Sequence, residues 1–291
     1  MNYPTTVEEL TKTLRQGDYL ADRGLATAVF VAMSLQRPIL LEGEVGVGKT
    51  EIAKTLASVF DRELIRLQCW EGIDTNQALY EWDYARQLLH IRALSDSDIG
   101  SDEAVDQLFG PKFLLERPLL HAVRAGDRAV LLIDEVDRSD DEFEAFLLEI
   151  LSEFQISIPE VGTIKAEGAP LVVLTSNRTR ELHDALKRRC MYHWIGYPPP
   201  EREVEIVTIR APGVSEALAR KVVAAVNRLR EMDLEKPPGV AETIDWARTL
   251  EFLGETDLNA EVAETTLGSI VKEHDDMDAV RDNLEEITAR A

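Results

Sequence analysis

Apolar positions recur along the chain in two rhythms. "TVEELTKTLRQGDYLADRGLATAVFVAMSLQ" carries them at helical spacing, with Thr6 placed to cap the first of two helices and Gly17 to end it. "RPILLEG" is a short continuous apolar run, opened by Pro38 and stopped by Gly43, which predicts a buried strand. "KTEIAKTLASVF" returns to helical spacing, with Ile52, Leu56 and Val59 on one face, and "ELIRLQCW" predicts a second strand. Residues 71–112 break the rhythm. "EGIDTNQALYEWDYARQLLHIRAL" has helical spacing and "SDSDIGSDEAVDQLFGP" is acidic and turn-rich, so the stretch reads as an insertion between core elements. "FLLERPLLHAVRAG" predicts a helix, "RAVLLIDE" a strand and "DDEFEAFLLEILSEF" an amphipathic helix. "QISIPEVGTIKAEGAP" alternates on both sides of Pro159 to Gly162, as a hairpin over about residues 156–168 would. "LVVLTSN" is a further buried strand, "RELHDALKRR" a helix and "CMYHWIGY" the last strand.

Strands alternating with helices predict an α/β fold, a parallel sheet covered on both faces. After "PPP" at 198–200 only helical patterns follow, such as "SEALARKVVAAVNRLREM" and "AETIDWARTLEFLG". The expected organisation is an α/β domain over 1–200 and a smaller all-helical domain over 201–291.

Composition narrows the function classes. The 291 residues are 45% hydrophobic and 30% charged, an ordinary balance for a folded globular chain. No apolar run reaches the about 18 to 20 residues of a membrane helix, and the polar N-terminus does not read as a secretory signal. Two cysteines, Cys69 and Cys190, without metal-type spacing fit a reducing cytoplasm. The formal net charge of -22 argues against a general nucleic-acid binder, whose affinity comes largely from cations on phosphates. Residues 251–291 hold 12 acidic and three basic side chains, either a solvated face or a docking surface for a basic partner.

The strongest motif is "GEVGVGKT", Gly43 to Thr50, between an apolar strand and a helix. It fits the phosphate-loop pattern, in which glycines let successive N–H groups turn toward a phosphate and the next helix presents its positive end. Gly43, Glu44, Val45, Gly46, Val47, Gly48, Lys49 and Thr50, with Glu51 following, are the expected nucleotide-binding residues. Lys49 would reach the β- and γ-phosphates and Thr50 would offer its hydroxyl to Mg²⁺. Glu44 should turn outward, because a carboxylate facing phosphate is repelled.

"VLLIDEVD" puts Asp134 and Glu135 at the end of a buried strand. Ligands of an open parallel sheet sit beyond the carboxyl ends of its strands, so the pair lies next to the phosphate loop if the two strands are neighbours. Asp134 would then hold Mg²⁺, directly or through water, and Glu135 would orient and deprotonate a water aimed at the γ-phosphate. Later, "DALKRRC" sets Lys187, Arg188 and Arg189 side by side in an acidic chain. Three adjacent cations repel one another and build no core.

The order of these elements resembles the AAA+ ATPases: phosphate loop, insertion, strand ending in Asp-Glu, hairpin, strand ending in Asn, then Arg-Arg. The insertion and the hairpin "ISIPEVGTIKAEG" resemble the MoxR branch. "RLQCWEGIDTNQALYEWDYARQLLHIRA" and "GVAETIDWARTL" resemble the carbon-monoxide dehydrogenase maturation ATPases of the CoxD type. The resemblance implies an AAA+ domain with a helical lid, ATP and Mg²⁺ as cofactors, and a homo-oligomeric ring, most often a hexamer. It implies that Asn177 senses the γ-phosphate or the attacking water, and that Gln68 restrains the catalytic Glu. It also implies that Arg188 and Arg189 act as fingers in the neighbouring subunit's site, where Arg suits the role by its permanent charge and planar fork. The family's lid Arg is missing from the first turn of "GVAETIDWARTL"; Arg248 lies about two turns further on. The implied work is chaperone-like maturation of a metalloenzyme with a von Willebrand factor A domain partner, in the cytoplasm, without nucleic acid or membrane insertion. Trp70, Tyr80, Trp82 and Tyr84 in the insertion are either contact residues or core. Two rivals are a nucleic-acid motor or loader, which the acidic balance disfavours, and a small-molecule kinase, which the hairpin, paired arginines and helical C-terminal part disfavour.

Overall fold

The apolar runs that lack a polar face become the buried strands. The computed structural model describes residues 4–94 and 108–288. A five-stranded sheet has the order β2-β5-β8-β1-β9, built from β1 (Ile39–Gly43), β2 (Glu63–Gln68), β5 (Ala129–Asp134), β8 (Leu171–Ser176) and β9 (Met191–Ile195). β1, β5 and β8 are buried at every position, because both faces of a parallel sheet are covered. β2 pairs parallel with β5, β5 with β8, and β8 with β1. The alternating β2, "ELIRLQ", buries Ile65 and Leu67 and turns Arg66 and Gln68 to the other face. The sheet has the α/β architecture expected from the pattern, with helices at the C-terminus.

The insertion is more broken than its spacing predicts. Asp74 caps a four-residue helix, Thr75–Ala78, through a capping box with Gln77. Then β3 (Tyr80–Trp82) pairs antiparallel with β4 (Leu114–Glu116), and helix Tyr84–Leu94 follows β3. The single helix expected over 113–126 is therefore β4 plus helix Pro118–Ala125, with Pro118 at its first turn. Of the acidic excursion expected over 95–111, residues 95–107 lie outside the described residues. Of the four aromatics, Trp82 is buried against Phe109, whereas Trp70 and Tyr84 are exposed.

The hairpin is present as β6 (Gln155–Ile158) and β7 (Gly162–Lys165). The helix expected over 180–189 covers only Asp184–Arg189, capped by His183.

Close contacts along the chain sort into two units. One holds the residues up to Leu10, Arg23–Glu42 and Ala53–His193. Its core joins the buried faces of the strands to Leu119, Leu120, Phe143, Leu147 and Leu186 from the helices. The other holds Thr11–Asp22, Gly43–Ile52 and the chain from Trp194 onward. Its core is helical, built on Val222, Val226, Leu229, Trp246 and Leu250. A buried ion pair crosses it: Arg230 binds both oxygens of Glu203 at 2.7 and 2.8 Å, and the Thr243 hydroxyl donates to the same carboxylate.

Candidate nucleotide-hydrolysis site

The phosphate loop belongs to the second unit. Gly46 (φ 76°) and Gly48 (φ 94°) occupy the left-handed region that side chains avoid, which lets the loop curl. Gly43 ends β1 against the Ile195 carbonyl oxygen, so close that a Cβ would not fit. Lys49 is buried and its ammonium donates to the carbonyls of Gly43 (2.8 Å) and Glu44 (2.6 Å), beneath the loop. Thr50 is half-buried, Val47 partly covered, and Glu44 and Val45 exposed, with Glu44 outward as charge repulsion requires.

The C-terminal helices touch this loop within the same unit. The N–H of Ala241 donates to the Gly46 carbonyl at 3.0 Å. Gly239 packs against Gly46 and leaves no room for a Cβ. Arg210 pairs with Glu51 at 2.9 Å. Arg248 donates at 2.7 Å to the Arg210 carbonyl, the last of helix Pro200–Arg210, so its guanidinium serves a helix end. The half-buried Tyr19 hydroxyl reaches the Gly48 carbonyl at 3.4 Å, and desolvation, then Asp22 and Glu51, pushes its ionisation upward.

The acid pair belongs to the first unit. The condition set by the sequence is not met, because β8 lies between β1 and β5. The strand order sets the carboxyl end of β8, and Asn177 after it, between those of the other two. Asp134 is buried. Its Oδ1 accepts from the Thr175 hydroxyl at 2.6 Å and its Oδ2 from Arg66 at 2.6 and 3.1 Å. Glu135 is held in the left-handed region (φ 55°), with its N–H donating to Thr175 Oγ1 at 2.9 Å. Its carboxylate receives Gln68 Nε2 at 3.1 Å, Arg138 Nε at 3.1 Å and Asn177 Nδ2 at 3.5 Å. Strain at a non-glycine residue beside a carboxylate cluster is the pattern of a functional turn. Gln68, Glu135 and Asn177 are thus brought together.

Asp137 completes the arrangement. One of its oxygens accepts from the N–H groups of Asn177 (3.2 Å) and Thr179 (2.8 Å) and from the Thr179 hydroxyl (2.8 Å). The turn after β8 is thereby tied to the turn after β5. Sequence reasoning missed Arg66, Thr175, Asp137 and Arg138. The period-2 alternation that places Arg66 on the Gln68 face is a signal for the first, and the others have none.

Cys69 lies next to this cluster. Burial, then the charges of Asp134, Asp137, Glu135 and Glu144, pushes its thiol up to about 12. Arg188 and Arg189 end helix Asp184–Arg189, whose last carbonyls accept from Arg37. The Arg189 guanidinium donates to the Leu148 carbonyl at 2.5 Å and to Ser152. Arg188 is exposed, and no described residue partners its guanidinium.

Residues 38–190, just over half of the chain, match the AAA domain (dynein-related subfamily). The chain belongs to this family. As an AAA+ ATPase it is an ATP-hydrolysing P-loop enzyme that uses ATP with Mg²⁺, and such ATPases typically assemble into rings. A carboxylate such as that of Asp134 and a hydroxyl such as that of Thr50 are each, taken singly, hard oxygen donors of the kind that Mg²⁺ takes. The chain is 27% identical to the gas vesicle ATPase GvpN2 of Halobacterium salinarum, over 88% of this chain and 75% of that protein. It is 25% identical to the gas vesicle ATPase GvpN of Haloferax mediterranei, over 87% and 74%. A structure of Thermotoga maritima RuvB shares the fold, with a TM-score of 0.50 at 17% identity over 91% of this chain and 72% of that one.

Proposed function

We propose that this ATPase is a MoxR-type ring that remodels a protein, with a CoxD-like task in the maturation of a metalloenzyme. In this reading the N–H groups of Gly43–Gly48 and the Lys49 ammonium hold the phosphates. Thr50 and Asp134 serve Mg²⁺. Glu135 deprotonates the attacking water, and Asn177 orients it. The observation that carries the reading is the cluster of Asp134, Glu135, Gln68 and Asn177 at the carboxyl ends of β2, β5 and β8. The expected division is an α/β domain over 1–200 and a helical lid over 201–291. Ala241 against Gly46 of the phosphate loop, and Arg210 against Glu51 in the helix that follows it, support a lid role for the C-terminal part.

A finger acting in trans needs a guanidinium not used inside its own chain. That favours Arg188 over Arg189, whose fork is engaged by Leu148 and Ser152. The ring would be a hexamer working with a von Willebrand factor A domain protein. The exposed Trp70 and Tyr84 of the insertion and the hairpin would be contact elements. A second reading keeps the ring and changes the client. The gas vesicle ATPases align over most of this chain, which favours a task connected with gas vesicles.

The test is Glu135→Gln. It should bind ATP, lose turnover by about 10²- to 10⁴-fold, and trap the assembled ring with its client. Parental turnover would refute the base assignment. Affinity capture of that variant with ATP separates the clients: metalloenzyme subunits support the first reading and gas vesicle proteins the second.

A further inference from the structure

We propose that Arg66 is a positioning residue that holds both acids of the hydrolysis site in a resting arrangement, which a divalent cation must undo. The proposal rests on the roles given above to Asp134 and Glu135.

Its basis is strand register. Gln68 of β2 aligns with Asp134 of β5, so their side chains leave the sheet on one face. Arg66, two residues earlier, points the same way. Its guanidinium reaches Asp134 Oδ2 through Nη2 at 2.6 Å and Nε at 3.1 Å. Thr175 occupies Oδ1. Both oxygens of the carboxylate therefore have donors, and a full positive charge sits at contact distance. Mg²⁺ seeks the same anionic oxygen and is repelled by the guanidinium.

The same guanidinium acts on Glu135 through an amide. Arg66 Nη2 also donates to Gln68 Oε1. An amide has a single acceptor end, so with Oε1 held there Nε2 faces Glu135, which it meets at 3.1 Å. Arg66 thus offsets Asp134 directly and keeps the base engaged indirectly.

The exposures say which partner moves. The Asp134 side chain is 4% exposed and that of Arg66 is 52% exposed. The carboxylate is fixed by its surroundings, whereas the arginine has a long stem and water beside it. When Arg66 swings away, the outer oxygen of Asp134 opens and the Gln68 amide is free to turn. Arrival of the metal and release of the base become one event, a coupling between two sites through a shared residue.

The experiment uses the full chain with a non-hydrolysable ATP analogue. Mn²⁺ is titrated while the free-ion electron paramagnetic resonance signal is followed, and the Mg²⁺ dependence of ATP turnover is measured alongside. Arg66→Gln should bind Mn²⁺ about fivefold tighter, the worth of one half-exposed ion pair. Its half-maximal turnover should shift to lower Mg²⁺. Arg66→Lys keeps the charge without the fork and should fall between the two. Should the Gln variant not fold, the Lys variant carries the same sign. A merely structural arginine would not give tighter metal binding when removed. Unchanged or weaker Mn²⁺ binding in the folded variants would overturn the proposal. Lys49→Ala is the separate check on the site itself. If it left analogue-dependent Mn²⁺ binding intact, the nucleotide-site reading would fail instead.

Discussion

Replacing Thr175 with Val probes the joint between the two acids. The Thr175 hydroxyl is buried, donates to Asp134 Oδ1 at 2.6 Å and accepts the Glu135 N–H at 2.9 Å. Valine keeps the shape and removes both bonds, so no cavity forms. A hydrogen bond to a charged group contributes about 1.5–3 kcal/mol and a neutral one about 1 kcal/mol, so the loss should be about 2.5–4 kcal/mol. Asp134 retains Arg66, which keeps the figure toward the lower end. Glu135 then loses the tether that holds it at φ 55°, a conformation that costs on the order of 1–3 kcal/mol. It should relax and carry its carboxylate away from the working position. Turnover should fall by at least about tenfold, the equivalent of about 1.4 kcal/mol in the barrier, with ATP affinity unchanged. Thr175→Ser keeps the hydroxyl and drops one methyl, costing about 1 kcal/mol in packing, and should keep near-parental turnover. Hydrogen exchange of the β5 and β8 amides reads the local stability, and steady-state ATPase kinetics separate kcat from KM. A Val variant with parental kcat, or a Ser variant as impaired as the Val variant, would refute the reasoning.

Replacing Arg188 and Arg189 together with Ala should preserve ATP binding and depress hydrolysis. Mixing that protein with Lys49→Ala should restore part of the turnover; no recovery in mixed rings that demonstrably form counts against action in trans. Arg230→Met removes the cation from the fully buried Glu203 and should cost the helical unit about 3–5 kcal/mol. Adding Glu203→Met should recover most of it, read by hydrogen exchange in helix Val240–Leu253; a double variant no better than the single one would contradict this. Burial holds the Cys69 and Cys190 thiols up to about 12, so iodoacetamide at pH 8 should label them only after unfolding. The raised values mean that their contribution is fully present below the unfolded thiol value, about 8.5, and is lost as pH rises toward 12. Rapid labelling of the folded chain at pH 8 would contradict the burial argument.

The central strands were legible because a strand covered on both faces must be apolar throughout, and "ILLEG", "AVLLID" and "LVVLTS" are nearly so. The phosphate loop was legible because binding a phosphate with backbone N–H groups demands glycines in a set order. The insertion was not. Tyr80–Trp82 pairs with Leu114–Glu116, more than thirty residues away, and no local spacing records such a partner. Helix Asp184–Arg189 is shorter than its pattern because His183, in an extended conformation, caps a later start.

The division has a physical cause. Local chemistry settles which residues can curl around a phosphate, offer a carboxylate at a strand end or remain charged, and one chain read in order is enough to single out Lys49, Thr50, Asp134 and Glu135 as candidates, whereas Asn177 was reached through the family resemblance. Folding settles which of them meet. It set β8 between β1 and β5, laid Arg66 against Asp134, turned Gln68 toward Glu135, and tied up Arg189 while leaving Arg188 exposed. Strand order and register are collective outcomes of burying one core, so they are written in no single stretch of sequence.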